Sequence, residues 1–175
     1  SNMLAAFALA HAVDIPFEAM VEVGKTFSGL PHRMEYVTAI NGVAFYDDSK
    51  GTNVGATVAA LSGADAPVVL IAGGDGKGQD FSPLKPVVDA HARAVLLIGR
   101  DADGMASALE GVQVPVARAA TLEDAVQRGY ALAQPGDIVL LSPACASWDM
   151  FDGYAHRARV LVEAAEALKK QMESE

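Results

Sequence analysis

Cysteine, aromatic residues and long apolar runs are all scarce in this chain. Cys145 is the only cysteine among 175 residues, which excludes an internal disulfide and a multi-cysteine metal site and fits a reducing compartment. Aromatic residues make up 6% of the chain, which argues against an aromatic-rich β-sandwich and favours helices packed on a sheet. No apolar run approaches the roughly 20 residues of a membrane span, and no basic signal-peptide segment precedes the apolar N-terminal residues. The sequence therefore predicts a cytoplasmic α/β protein without membrane contact.

Positive charge is also in short supply. The chain has 13 Lys and Arg against 22 Asp and Glu, for a net charge of −9. Because nucleic-acid binding needs clustered cations, this balance argues against a nucleic-acid-binding protein. The hydrophobic share of 51% is enough for one domain to bury a full core. An anionic small-molecule substrate would need positive charge concentrated at its site.

Helices and apolar strands alternate along most of the sequence. The predicted strands from the middle onward are continuous apolar runs, at 68–72, 94–98, 114–117 and 137–141. Such runs are typical of a parallel sheet covered by helices on both faces. Ahead of them, Asn41-Gly42 separates two β-rich runs, which is a strong hairpin signal. The predicted fold is therefore a doubly wound, mostly parallel, Rossmann-like sheet with an antiparallel hairpin edge.

A short helical segment precedes the sheet. The apolar spacing from Leu4 to Phe27 predicts two helices separated by a turn near Asp14-Ile15-Pro16, with Gly24 ending the second. At the other end of the chain, the last helix is predicted from about Met150 to Met172. These boundaries place all the unusual loops between the helical segment and the final helix.

The first unusual loop, at 47–53, closes the hairpin and opens a helix. Thr52 or Asn53 is placed to cap that helix, whose free N–H groups and positive dipole end suit an anion. By itself this stretch indicates no more than an ordinary cap beside solvated charges. Upstream of it, Arg33 could reach a phosphate with two hydrogen bonds or form a surface ion pair.

The second loop, at 72–81, contains four glycines and Lys77. Glycines allow the backbone to approach a ligand, and Lys77 brings a cation to the end of a strand. The loop does not match a P-loop, because Lys77 is followed by Gly78 rather than by Ser or Thr. A flexible glycine turn is an equally good interpretation of this loop alone.

The third loop, at 141–151, connects a buried strand to the final helix. Ser147 is predicted to cap that helix and, with neighbouring amides, to bind a carboxylate. Cys145 is not predicted to be a nucleophile, because a lone cysteine is more commonly a buried thiol. Trp148 suits packing as well as binding. The histidines lack metal-ligand spacing, and no metal site is predicted.

Four ordered stretches resemble the D-glutamate-adding members of the Mur ligase family. They are 29–33 (Gly-Leu-Pro-His-Arg), 48–53 (Asp-Ser-Lys-Gly-Thr-Asn), 73–77 (Gly-Gly-Asp-Gly-Lys) and 141–147 (Leu-Ser-Pro-Ala-Cys-Ala-Ser), followed by Asp149 and Phe151. The resemblance covers nearly the whole chain. It implies a three-domain bacterial enzyme of peptidoglycan synthesis that uses ATP and magnesium to activate UDP-N-acetylmuramoyl-L-alanine as an acyl phosphate. The amine of D-glutamate would then attack to form the amide.

The resemblance also implies which residues bind the substrates. The positions for D-glutamate would be Thr52, Lys77, Ser147, Trp148, Tyr154 and Asp75, the last of which would orient Lys77. On the nucleotide side, Arg33 would lie near the phosphates, Asp48 near the ribose, Lys50 near the γ-phosphate and Asn2 near the adenine. Lys50 and Arg33 would be the catalytic electrostatic clamps. The sequence departs from the family at Trp148 and Tyr154, where leucine and phenylalanine are common.

Parts of such an enzyme are missing from this sequence. It contains no Walker-type loop, no carbamylated-lysine segment for magnesium and no uridine-nucleotide domain. We therefore expect residues 1–28 to be the helical tail of a central ATPase domain and residues 29–175 to be the C-terminal domain, without turnover or tight cofactor binding on its own. The alternatives are a free-standing module that binds a nucleotide or an amino acid, and another amide ligase such as a glutamate-adding folate enzyme.

Overall fold

The computed structural model describes residues 2–27 and 29–174, and the chain divides into two compact units, Ser1–Leu30 and Pro31–Glu175. The first unit contains α1 (Asn2–Ala12) and α2 (Phe17–Thr26), joined by a turn in which Asp14 has a positive φ of 60°. The predicted end of the second helix at Gly24 is wrong. Gly24 lies inside α2, where a Cβ atom would approach the Phe7 ring to 2.8 Å. This glycine allows close helix packing and does not end the helix.

The second unit is a six-stranded sheet with helices on both faces. Its elements are β1 (Glu35–Ile40), β2 (Val43–Asp47), α3 (Val54–Ser62), β3 (Val68–Gly73), α4 (Leu84–His91), β4 (Ala92–Ile98), α5 (Ala102–Ala108), β5 (Val116–Arg118), α6 (Leu122–Leu132), β6 (Ile138–Leu141) and α7 (Tyr154–Glu173). The strand order is β1-β2-β6-β3-β4-β5, and β1 pairs with β2 in the antiparallel direction while the other pairs are parallel. The predicted fold class is confirmed.

The hairpin turn follows from two adjacent residues. Asn41 and Gly42 have φ angles of 46° and 83°, the left-handed conformation that a two-residue hairpin turn requires. Asparagine and glycine adopt this conformation at the lowest cost. The hairpin therefore sets β1 as the antiparallel edge of the sheet.

Apolar side chains fill both sides of the sheet. On one face, α6 and α7 pack their apolar residues, such as Val126 and Leu161, against Phe45. On the other face, α3, α4 and α5 pack residues such as Leu61 and Met105. Strand β3 is buried along its entire length, which explains its continuous apolar sequence.

No helix within the described ranges is both long and apolar enough to cross a membrane.

The final helix begins later than predicted. α7 starts at Tyr154, and its N-cap is Gly153 with φ of 146° and ψ of 172°. This backbone conformation interrupts any helix that begins near Met150. Ser147 therefore does not cap α7, and the prediction that it does is wrong. Instead, the Ser147 carbonyl accepts hydrogen bonds from the amides of Met150 and Phe151, at 3.2 and 2.8 Å, in a separate turn.

Candidate functional site

The three unusual loops follow neighbouring strands at one edge of the sheet. β2, β6 and β3 lie side by side and parallel, so the loops that leave their carboxyl ends emerge together. The loops after β3 and β6 also pair through their backbones. Asp75 N–H donates to the Ala146 carbonyl at 3.0 Å, and Ala146 N–H donates to the Asp75 carbonyl at 2.8 Å. This edge is where open α/β sheets bind ligands.

Gln79 connects all three loops. Its side-chain amide donates to the carbonyls of Gly76 at 2.9 Å and Ala144 at 3.2 Å, and its carbonyl oxygen accepts the N–H of Val54 at 3.1 Å. Because a glutamine side chain both donates and accepts, it can join three backbone segments at once. Gln79 was not among the predicted site residues. A glutamine at the end of a glycine-rich loop was the available signal, but its partners are distant in sequence.

Two glycines at the end of β3 and in the loop after it lie very close to other backbone segments. A Cβ atom on Gly73 would lie 2.0 Å from the Ile98 carbonyl oxygen, and one on Gly74 would lie 2.3 Å from that of Ala146. Both residues also have positive φ angles, 116° and 125°. Glycine is required at both positions because a side chain would collide with the neighbouring backbone. A merely flexible turn would not explain these short distances.

Lys77 projects from this loop with an exposed side chain. Its Nζ lies 3.4 Å from the carbonyl oxygen of Thr52, in the loop after β2. Asp75 accepts the backbone N–H of Lys77 at 3.0 Å and also pairs with the guanidinium of Arg100. Asp75 therefore orients the backbone of Lys77, while the ammonium group points toward the neighbouring loop.

The loop after β2 is built around a buried carboxyl group. Asp48 accepts a hydrogen bond from the Ser142 hydroxyl at 2.7 Å. Burial raises the pKa of Asp48, and this effect outweighs the lowering by hydrogen bonds from Ser142 and the Met34 backbone and by the charge of Arg33. A Cβ at Gly51 would lie 2.5 Å from this carboxylate, so the loop can close over Asp48 only with glycine there. Asn53, and not Thr52, caps α3 by accepting the Ala56 N–H.

Lys50 lies beside an aromatic pair at the start of α7. Its Nζ is 5.5 Å from the centroid of the Tyr154 ring, and that ring meets His32 edge-to-face at 5.7 Å. The backbone N–H of Lys50 donates to the carbonyl of His32 at 3.1 Å. His32 thus supports Lys50 through both its backbone and, by way of Tyr154, its ring. His32 was not among the predicted site residues.

The loop after β6 contributes buried and exposed residues. Ser147 is buried, whereas Trp148 is 73% exposed and 3.8 Å from the position of a Cβ on Gly153. Cys145 is fully buried, and burial raises the pKa of its thiol to about 12. A thiol with this pKa stays protonated at neutral pH, so Cys145 has no nucleophilic character.

Within the described part of the chain, one group of three side chains could approach a metal ion: His32, Glu35 and Asp47. Both oxygens of Asp47 already accept hydrogen bonds at 2.8 Å, from His32 Nδ1 and from the Ser49 N–H. One of the three donors is an imidazole nitrogen, whereas Mg²⁺ prefers oxygen ligands in octahedral geometry. This group does not fit a magnesium ion.

The model of the family described as "Mur ligase, glutamate ligase domain" matches residues 32–145. The chain belongs to the Mur ligase family. The matched range of this Mur ligase chain contains the predicted site residues Arg33, Asp48, Lys50, Thr52, Asp75 and Lys77. Ser147, Trp148 and Tyr154 follow it. Asn2 precedes the range, and its side chain lies outside the described residues.

Two curated relatives of this Mur ligase chain carry the same name. It is 56% identical over 171 residues to the UDP-N-acetylmuramoylalanine--D-glutamate ligase of Nitrosomonas europaea and 58% identical over 169 residues to that of Chromobacterium violaceum. These matches include 98% and 97% of the chain. The chain spans 36% and 37% of the lengths of these relatives, which is about a third.

Solved structures of more distant ligases share the fold. The UDP-N-acetylmuramate-alanine ligase of Thermotoga maritima matches with a TM-score of 0.68 at 15% identity, over 96% of this chain and 37% of that one. A bifunctional folylpolyglutamate synthase/dihydrofolate synthase of Yersinia pestis matches with a TM-score of 0.64 at 17% identity, over 90% and 37%. At these identities the likeness shows the fold alone.

Proposed function

We propose that this chain is the D-glutamate-binding part of an ATP-dependent ligase. The enzyme would join D-glutamate to UDP-N-acetylmuramoyl-L-alanine for peptidoglycan synthesis in the bacterial cytoplasm. Relatives at 56% and 58% identity carry the name of this ligase. The observation that carries the proposal is the position of the Lys77 ammonium, 3.4 Å from the carbonyl oxygen of Thr52 where the three loops meet.

The D-glutamate would bind between the three loops. It presents two carboxylates, which suit the ammonium of Lys77 and the hydroxyl groups of Thr52 and Ser147. Asp75 would keep Lys77 in place through its backbone N–H. Trp148 and Tyr154 would border the substrate at the start of α7. Because the chain is acidic overall, the positive charge of Lys77 would supply local attraction for an anionic substrate.

The nucleotide would lie on the side of the site that contains Arg33 and Lys50. Both side chains are exposed, so their charges are available to phosphate oxygens. Asp48 would face the ribose, with Ser142 and the Met34 backbone holding its carboxyl group. The proposed contact of Asn2 with the adenine rests on the resemblance alone.

The proposed reaction has two steps. In the first, a carboxylate oxygen of UDP-N-acetylmuramoyl-L-alanine attacks the γ-phosphorus of ATP, the bond to the β–γ bridging oxygen breaks, and ADP leaves. In the second, the D-glutamate nitrogen forms a bond to the acyl carbon, the bond from that carbon to the phosphate oxygen breaks, and the amine releases a proton. Lys50 and Arg33 would stabilise the negative charge of the transferring phosphoryl group.

Magnesium would accompany ATP as the ion of the nucleotide complex. Its charge would neutralise phosphate oxygens during transfer. Because the group of His32, Glu35 and Asp47 does not fit this ion, we assign magnesium ligands to the N-terminal and central domains that the complete enzyme would contain. The present chain would supply the cations and the D-glutamate site.

The test is phosphate release by the complete gene product that contains this chain. The assay contains ATP, magnesium and UDP-N-acetylmuramoyl-L-alanine, with D-glutamate, L-glutamate, L-alanine or diaminopimelate in parallel reactions. We expect release that depends on D-glutamate, and none from the 175-residue chain by itself. Release with another amino acid would indicate a sibling ligase, and no release with any of them would favour a binding module.

A further inference from the structure

A buried cation lies beneath the loops of the proposed site. Arg157, in the first turn of α7, is fully buried. Its guanidinium donates to the Ser49 carbonyl at 2.8 Å and to the Cys145 carbonyl at 3.2 Å. These carbonyls belong to the loops after β2 and β6. Arg157 therefore joins the loop that carries Lys50 to the loop that carries Ser147.

Burying the Arg157 guanidinium destabilises the fold, so filling space does not explain why an arginine lies there. Within the described residues, no carboxylate forms an ion pair with Arg157, the charges of Asp149 and Asp47 act on it only from a greater distance, and its Nε has no hydrogen-bond partner. A buried charge without a counter-ion is unfavourable, and an apolar side chain of similar size would pack there at lower cost. Burial lowers the pKa of Arg157 to about 10, so the guanidinium remains charged at neutral pH.

The two peptide groups that Arg157 contacts are held from both sides. In a trans peptide the N–H points opposite to the carbonyl. The N–H that follows the Ser49 carbonyl is that of Lys50, which donates to His32 at 3.1 Å. The N–H that follows the Cys145 carbonyl is that of Ala146, which donates to Asp75 at 2.8 Å. Arg157 thus contacts two peptide groups directly, and the N–H groups of these peptides connect them to the segments of His32 and Asp75.

We propose that Arg157 is a positioning residue that fixes the distance between the phosphate side and the D-glutamate side of the site. This inference rests on the proposed function. In the second step the D-glutamate amine must meet the acyl phosphate, so the loops that bind each must keep a defined separation. The planar guanidinium suits this role because it donates to two carbonyls in fixed directions, which a lysine ammonium does not.

The test compares Arg157→Lys and Arg157→Met in the complete enzyme, by steady-state kinetics with each substrate varied in turn. Arg159→Lys and Arg159→Met are the matched controls, because Arg159 is on the same helix, is exposed and pairs with Glu163. We expect both Arg157 variants to raise the KM for D-glutamate roughly tenfold or more and to lower kcat. The KM for UDP-N-acetylmuramoyl-L-alanine and both control variants should stay within about twofold of the wild type.

Amide hydrogen exchange gives a readout that does not depend on activity. Arg157→Lys should accelerate exchange at Lys50 and Ala146, whereas Arg159→Lys should not. Unchanged exchange, rescue of the D-glutamate KM by lysine, or a loss of kcat with every KM unchanged would overturn the proposal, as would failure of both variants to fold. If the wild-type enzyme releases no phosphate with D-glutamate, the proposed function is wrong. Exchange at the Lys50 and Ala146 amides would still test whether Arg157 holds the two loops together.

Discussion

The ammonium of Lys77 is the cation of the loop after β3, and it lies beside the loop after β2. We expect Lys77→Ala in the complete enzyme to raise the KM for D-glutamate and to lower kcat/KM roughly 10- to 100-fold, because a hydrogen bond to a charged group contributes about 1.5–3 kcal/mol. Lys85→Ala is the control, since Lys85 donates to the Glu110 carbonyl away from the site. Equal kinetics for Lys77→Ala and the wild type would contradict the assignment.

At Asp48, the proposed contact with the ribose and the stability of the fold would favour different side chains. Its pKa is raised, so the stability associated with its protonated form is present below the ordinary carboxyl pKa and is lost as pH rises through the raised value. At neutral pH we therefore expect Asp48→Asn to raise the unfolding temperature while lowering ligase activity. The gain should shrink as pH falls below this raised pKa and should be absent below about pH 4, where the wild-type carboxyl is protonated in both the folded and the unfolded chain.

Asp80 provides a control, because its pKa is shifted in the opposite direction to that of Asp48. Hydrogen bonds from the backbone and side chain of Ser82 lower the pKa of this exposed carboxyl. Asp80→Asn should therefore not raise the unfolding temperature at neutral pH. A thermal scan in which both variants shift in the same direction would show that a general loss of negative charge, and not the burial of Asp48, is responsible.

At the scale of elements, the loop after β3 requires glycine for two separable reasons. Gly74 and Gly78 both have positive φ, but a Cβ on Gly74 would lie 2.3 Å from the Ala146 carbonyl oxygen, whereas one on Gly78 would meet nothing within 4 Å. Gly78→Ala should lower the free energy of unfolding by about 1–2 kcal/mol through backbone strain alone. Gly74→Ala should lower it by roughly 3 kcal/mol or more, because the loop must also move.

Chemical denaturation of both glycine variants measures this difference. If Gly74→Ala costs no more than Gly78→Ala, the close approach between the loops after β3 and β6 is not rigid in solution. The result would then favour the flexible glycine turn as the correct interpretation of this loop.

The elements that the sequence predicted correctly depend on local signals. The Asn41-Gly42 turn and the buried strands have patterns that neighbouring residues determine. The start of α7 was missed because the φ of Gly153 interrupts an otherwise helical sequence. Gly24 was misinterpreted because its role is contact with Phe7 on another helix.

At the scale of the whole molecule, the sheet order brings three distant loops to one edge. The predicted class of fold implied this convergence, because parallel strands share their carboxyl ends. The residues that connect the loops, Gln79 and Arg157, could not be found from the sequence. Their partners lie between 3 and 108 positions away, and no local pattern marks a side chain that joins several backbone segments.

The proposed function requires that the complete enzyme join D-glutamate, and not L-glutamate, to the uridine nucleotide. The most direct measurement is mass spectrometry of the product formed from ATP, UDP-N-acetylmuramoyl-L-alanine and an equimolar mixture of deuterated D-glutamate and unlabelled L-glutamate. We predict a uridine-nucleotide product that carries only the deuterated glutamate, formed roughly 10- to 100-fold more slowly by the Lys77→Ala variant when D-glutamate is below its KM. A product with unlabelled glutamate, or no amide product from the wild-type enzyme, would contradict the proposed function.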